Sequence, residues 1–158
     1  MFEDLSITNI LAFGGVTVSI GFLIYFGVKT LITSNLFQQG MELYQAEDYP
    51  GAEAIFRKVI AINSTNDVVR LVLGDTLYKQ DQVEAAKELF QEVINRSPKN
   101  PQAYLRLANV LMQQEQREAA KQNLEIARDL LQKQRQPETA KRLSQLLEKM
   151  NARVNNKL

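Results

Sequence analysis

Residues 66–100 read NDVVRLVLGDTLYKQDQVEAAKELFQEVINRSPKN, one complete helix–turn–helix unit. Its landmark residues recur at a fixed distance. Gly74 has a counterpart in Gly40, 34 residues earlier, and in Ala108, 34 residues later. Ala86 is matched in the same way by Ala52 and Ala120, and Phe90 by Phe56 and Leu124. Small residues and one aromatic held in phase at this period predict stacked helical hairpins, each too small to bury its apolar face alone. Three repeats follow, at 33–66, 67–100 and 101–134.

Each repeat opens with a first helix carrying Leu73, Gly74 and Leu77, or Leu107, Ala108 and Leu111. The first repeat departs, with Gln39 at the leucine position, while Gly40 and Leu43 hold. The glycine or alanine is expected to let the second helix approach closely, with Ala52, Ala86 or Ala120 opposite it. Pro50 and Pro101 suit the opening position of a helix, and Asn63-Ser64-Thr65-Asn66 offers capping oxygens. Downstream, Pro137 starts an amphipathic segment at 137–152 with Leu143, Leu147 and Met150 on one face. It is expected to cap the open end of the stack, with 153–158 as a frayed tail.

Upstream lies a different kind of sequence. Ile7–Val28, ITNILAFGGVTVSIGFLIYFGV, contains 22 residues and no charge. As a helix it would extend about 33 Å, enough to cross a hydrocarbon core of about 30 Å. A cleaved signal peptide would want a basic start, a shorter apolar run and a small-residue cleavage site; here Glu3 and Asp4 precede the run and Lys29 follows it. A retained transmembrane helix at 7–28 is therefore expected, after a short tail at 1–6 and before a juxtamembrane linker at 29–32. No Lys or Arg precedes Lys29. The positive-inside rule then puts the N-terminus outside and the repeats on the cytoplasmic side. Ala12, Gly15 and Ser19 form a small-residue stripe against which another membrane helix could dock.

Composition limits the chemistry. The 158 residues include 19 basic and 18 acidic side chains, so bulk charge does not steer the chain toward nucleic acid. The absence of cysteine and histidine removes disulfides, thiolate sites and the usual acid–base catalyst at neutral pH. Glu42, Glu47 and Asp48 read as a polar turn rather than a metal site, and Glu84, Lys87, Glu88 and Glu92 as a solvated helical face. Gly14-Gly15 lies inside the span and is no phosphate loop. No catalytic, metal or cofactor-binding residues are expected.

The landmarks in all three repeats resemble the tetratricopeptide repeat (TPR) family over about two thirds of the chain. The fold expected is all-α: an N-terminal transmembrane helix, a three-repeat TPR solenoid and a C-terminal capping helix. The plan of one span followed by three repeats also resembles a narrower group, thylakoid-anchored TPR proteins of cyanobacteria and plastids that act in photosystem I assembly. The glutamine-rich surface (Gln38, Gln39, Gln80, Gln82, Gln113, Gln114, Gln116) is compatible with that source.

The TPR resemblance implies a concave groove lined by first helices that selects a peptide segment. Phe37, Met41 and Tyr44 fall there from repeat one. Leu71, Val72, Asp75, Tyr78 and Lys79 follow from repeat two, and Leu105, Arg106, Asn109 and Met112 from repeat three. The stripe is largely apolar and suits an apolar or amphipathic partner segment; the competing reading makes part of it core, or covers it with the terminal helix. TPR domains that grip acidic chaperone tails carry a cationic and amide clamp on these helices. Its positions here hold Phe37, Met41, Val72, Gln102 and Arg106, of which only Arg106 fits.

The expected function is a non-enzymatic, membrane-anchored scaffold that binds protein partners during assembly or stabilisation of a membrane complex. The narrower resemblance implies photosystem I in the thylakoid, with the repeats on the stromal side. A stable accessory subunit, or a membrane-tethered general chaperone partner in protein export, is the alternative.

Overall fold

The computed structural model describes residues 7–155, and the side chains of 14–152. Among these residues are seven helices and no strand: α1 (Ile7–Gln45), α2 (Tyr49–Ile62), α3 (Asp67–Lys79), α4 (Val83–Arg96), α5 (Pro101–Gln113), α6 (Arg117–Lys133) and α7 (Pro137–Asn155). Successive helices pack antiparallel, and α3 also touches α5, so first helices neighbour first helices. The result is a TPR-like solenoid with one long apolar helix at its start.

That helix is a single piece. The stretch expected as a linker at 29–32 is helical, because α1 continues from the apolar segment through the first helix of repeat one. No proline or cap interrupts Val28–Phe37. The Thr30 and Thr33 hydroxyls donate back to the carbonyls of Phe26 and Lys29, at 2.8 and 3.0 Å, and leave the helical ladder intact. With 39 residues, α1 is about 58 Å long. From Gly14 onward its apolar segment is long enough to cross a membrane, and its residues through Val28 are all exposed. The capping helix also runs further than expected, through Asn155, so 153–155 are helical.

The core is a column of repeat landmarks. Ala52, Phe56 and Val59 are buried from α2, Ala86, Phe90 and Val93 from α4, and Ala120, Leu124 and Ala127 from α6. One detail departs from expectation. What closes on each glycine is the aromatic ring, not the alanine: a Cβ at Gly40 would lie 2.5 Å from the Phe56 ring, and one at Gly74 would overlap Phe90. The ring is larger than a methyl group and reaches across the helix pair. Where repeat three has Ala108, the ring is replaced by the smaller Leu124. At the far end α7 packs on α6, burying Ala140 and Leu147 with Leu143 and Met150 half-buried beside them.

The turns repeat as faithfully as the core. Glu47, Asp81 and Glu115, each 34 residues apart, have positive φ of 61°, 62° and 59°, and Arg135 before α7 has 59°. At each, a six-to-one bond closes the preceding helix: Asp48 N–H donates to Leu43 O, Gln82 to Leu77, Gln116 to Leu111 and Gln136 to Leu131, all at 2.9 Å. Residues 47, 81, 115 and 135 themselves donate to Tyr44, Tyr78, Met112 and Gln132. These are Schellman motifs with no glycine at the left-handed position. The return turns are capped instead: Asn66 accepts from Val69 N–H at 3.1 Å, and Asn100 from Gln102 N–H at 3.0 Å.

Candidate protein-interaction groove

The inner face is built from the second half of α1, then α3 and α5. Its expected lining divides into three kinds of residue. Leu71 is a correction: only 5 % exposed, it belongs to the core. Helical geometry turns it under Val72, which is half-buried at the surface. Phe37, Met41, Tyr44, Tyr78 and Leu105 are likewise half-buried, one side packed on the core and the other open. Phe37 rests against Phe56 with ring centroids 5.9 Å apart, and Tyr44 meets Tyr49 edge-on at 5.5 Å. Lys79, Asn109 and Met112 are exposed, which leaves the α5 end of the face open rather than covered by α7.

A polar line crosses the middle of this apolar stripe. The Arg106 Nε donates to both oxygens of Asp75, at 3.0 and 2.8 Å, linking α5 to α3. Its Nη1 donates to the Gln102 side-chain oxygen at 3.2 Å, one turn earlier on α5. Burial pushes the Asp75 carboxyl above its ordinary value, and the guanidinium offsets this only in part. Burial also raises the Tyr44 hydroxyl, with the Asp75 carboxylate adding to the effect from across the α1–α3 gap. Tyr44, Asp75 and Arg106 thus share one electrostatic environment contributed by three consecutive inner helices. The sequence placed all three on the face but gave no sign of the pairing. Arg106, the one clamp residue that fitted, is engaged by Asp75.

In the apolar segment of α1, the Ala12 side chain lies outside the described residues. A Cβ at Gly15 would meet nothing within 4 Å, and the Ser19 hydroxyl donates to the Gly15 carbonyl at 2.8 Å. This chain fills neither position. Among the described residues no three acidic, cysteine or histidine side chains gather as a metal site. The arrangement offers recognition surface: apolar patches flanking a fixed ion pair, in a groove open at one end.

The tetratricopeptide repeat family model matches residues 43–96 and again 82–150. Compared by sequence with curated proteins, the chain matches none. Among solved structures it is similar to PcrH from Pseudomonas aeruginosa, with a TM-score of 0.70, 21 % identity, and coverage of 76 % of this chain and 92 % of that one. The Yersinia enterocolitica type III secretion translocator chaperone SycD is similar with a TM-score of 0.68 and 21 % identity, over 73 % of this chain and 87 % of that one. SycD in complex with a peptide of the translocator YopD gives 0.68 and 21 %, over 76 % and 92 %. At that identity the likeness concerns the fold.

Proposed function

This chain belongs to the tetratricopeptide repeat family, and on that premise we propose that it is a membrane-anchored, non-enzymatic scaffold. Its inner face holds an apolar or amphipathic segment of a protein partner while a membrane complex is assembled or stabilised. The observation that carries this reading is α1: an unburied apolar helix of membrane-crossing length running straight into a groove whose α5 end is open. Anchorage confines the groove to the bilayer surface and raises its effective concentration toward membrane partners without any new contact. The N-terminus lies outside and the repeats on the cytoplasmic or stromal side, as the charges around Lys29 favour. Photosystem I in the thylakoid is the complex favoured by the plan of one span and three repeats.

A second reading makes the chain a membrane-tethered export chaperone, holding a client rather than a complex subunit. It draws on the solved neighbour SycD, which carries a translocator peptide. Mild-detergent purification from the native membrane separates the two. Photosystem I subunits or assembly intermediates among the co-purifying proteins support the first; a broad set of export clients supports the second. Met41→Glu with Val72→Glu should abolish partner capture in a chain that keeps its helical content. Met112→Glu, at an exposed position, should weaken capture without touching the core. Undiminished capture by all three substitutions would move the working surface elsewhere.

A further inference from the structure

The repeat domain has two rims, and they differ in charge. One carries the turns at 63–66, 97–100 and 134–136, the other those at 46–48, 80–82 and 114–116. Each set of turns joins the C-terminus of one helix to the N-terminus of the next, so helix dipoles do not sort the charges between the two sets. Glu47, Asp48, Asp81 and Glu115 occupy the second set of turns, with Lys79 and Arg117 at the adjoining helix ends. The first rim holds Arg96, Lys99, Lys133 and Arg135, against Asp67 and Glu138. Asp67 is engaged within the rim, accepting from Arg96 Nε at 3.0 Å and from the Ser97 hydroxyl at 2.5 Å. Lys29, Lys99, Lys133 and Arg135 form no ion pair among the described residues.

The basic rim is also the one beside the end of the apolar segment. Phe26, Lys29, Thr30 and Thr33 of α1 share a cavity of about 340 Å³ with Ile62, Asn63, Ser64 and Thr65, which places the α2–α3 turn where the span ends. The Asp67–Arg96 contact joins that turn to the next. The Gln134 Nε2 donates to the Lys99 carbonyl at 2.7 Å and joins the third. The three turns are one continuous edge that begins beside Lys29.

We propose that this edge rests on the headgroup layer of the bilayer that α1 crosses, with Lys29, Lys99, Lys133 and Arg135 drawing it onto anionic lipid. The inference builds on the membrane anchorage proposed above. Attraction to an anionic surface acts within a Debye length, so only the near rim feels it, while the acidic rim faces away. Docking at four points fixes the domain's tilt, which one helix in a fluid bilayer does not.

The chain has no cysteine, so single labelling sites are clean. The full chain carrying Pro98→Cys on the near rim, or Gln82→Cys on the far rim, is spin-labelled and reconstituted into two kinds of vesicle. One is phosphatidylcholine alone, the other contains phosphatidylglycerol, and a lipid-attached relaxing agent reports proximity. The label at 98 is expected at headgroup depth only in phosphatidylglycerol vesicles, and the label at 82 remote in both. Lys99→Gln, Lys133→Gln and Arg135→Gln should each lower the docked-to-undocked ratio roughly fivefold at low salt. A label at 98 indifferent to lipid charge, in a chain that resists alkaline carbonate extraction, overturns the docking and leaves the anchor standing. An effect of the three substitutions on protein capture but not on the label assigns the rim to an acidic protein and also overturns it. Extraction by carbonate removes the anchor and the docking together.

Discussion

At Asp75 burial outweighs the guanidinium beside it, so the carboxyl titrates above its ordinary range even though Arg106 grips both oxygens. A group whose folded pKa is raised contributes stability that is complete below the ordinary carboxylate value, about 4, and is lost as pH rises through the folded value. Arg106→Gln should therefore be the more damaging substitution at neutral pH, since it leaves a half-buried carboxylate unpaired, and acidification should recover the loss. Asp75→Asn should cost little and flatten the pH dependence. Thermal unfolding of the two detergent-solubilised variants between about pH 4 and 7 checks this; equal losses with equal pH profiles would contradict it. Gly74 supports a second test. Gly74→Ala should destabilise by about 1–3 kcal/mol through overlap with Phe90, and Phe90→Leu in the same chain should recover part of that, reproducing the Ala108–Leu124 pairing of repeat three. Additive losses in a double-mutant cycle would show that the two positions are independent. The glycine and aromatic landmarks were legible because they repeat; that they touch each other was not. Asp75–Arg106 was hidden for a related reason. The pair is 31 residues apart, whereas the period aligns Asp75 with Asn109, one turn further along α5.

At the scale of the element, the turns carry the least optimised chemistry in the fold. Four Schellman closures place Glu47, Asp81, Glu115 and Arg135 in the left-handed region, where a side chain costs about 1–2 kcal/mol relative to its ordinary conformation. Glycine avoids that cost and gives back part of the gain in unfolded-state freedom. Glu47→Gly, Glu115→Gly and Arg135→Gly should each raise stability by about 0.5–1 kcal/mol, read as a higher midpoint in thermal or denaturant unfolding. A lower midpoint would mean that these side chains do more than turn the chain. Helix starts were readable from Pro50, Pro101, Pro137 and the asparagine caps, whereas these stops, lacking glycine, carried no signal. The missing break in α1 has the same origin. The apolar run ends at Val28 but the helix does not, because Lys29–Ile32 contains nothing that terminates one. Inserting four Gly/Ser residues after Thr30 should leave the repeats folded and free them to swivel. Loss of the fixed angle between the apolar segment and the repeats, read as a broadened distance distribution between spin labels on the two, with unchanged circular dichroism is the expected pair of results.

For the whole molecule, the repeat period alone led to the solenoid, because stacked hairpins can bury their landmarks in only one kind of assembly. The partner surface was less readable. Core and groove alternate around the same helices, and Leu71 falls on the inner side of a boundary that Val72 occupies one residue later. What no local pattern conveyed is that the apolar segment and the groove share one helix axis. For the membrane-anchored scaffold proposed above, that axis has a consequence of helical phase. Each residue added to α1 between the span and Phe37 turns the inner face by about 100° around the membrane normal and lifts it by about 1.5 Å. One inserted alanine would point the groove away from a neighbour embedded in the same bilayer. Seven would bring it back to within about 20° of the original azimuth, about 10 Å higher. The length of this segment is therefore a bearing as well as a height, and a partner fixed in the membrane can be met only at particular insertion lengths.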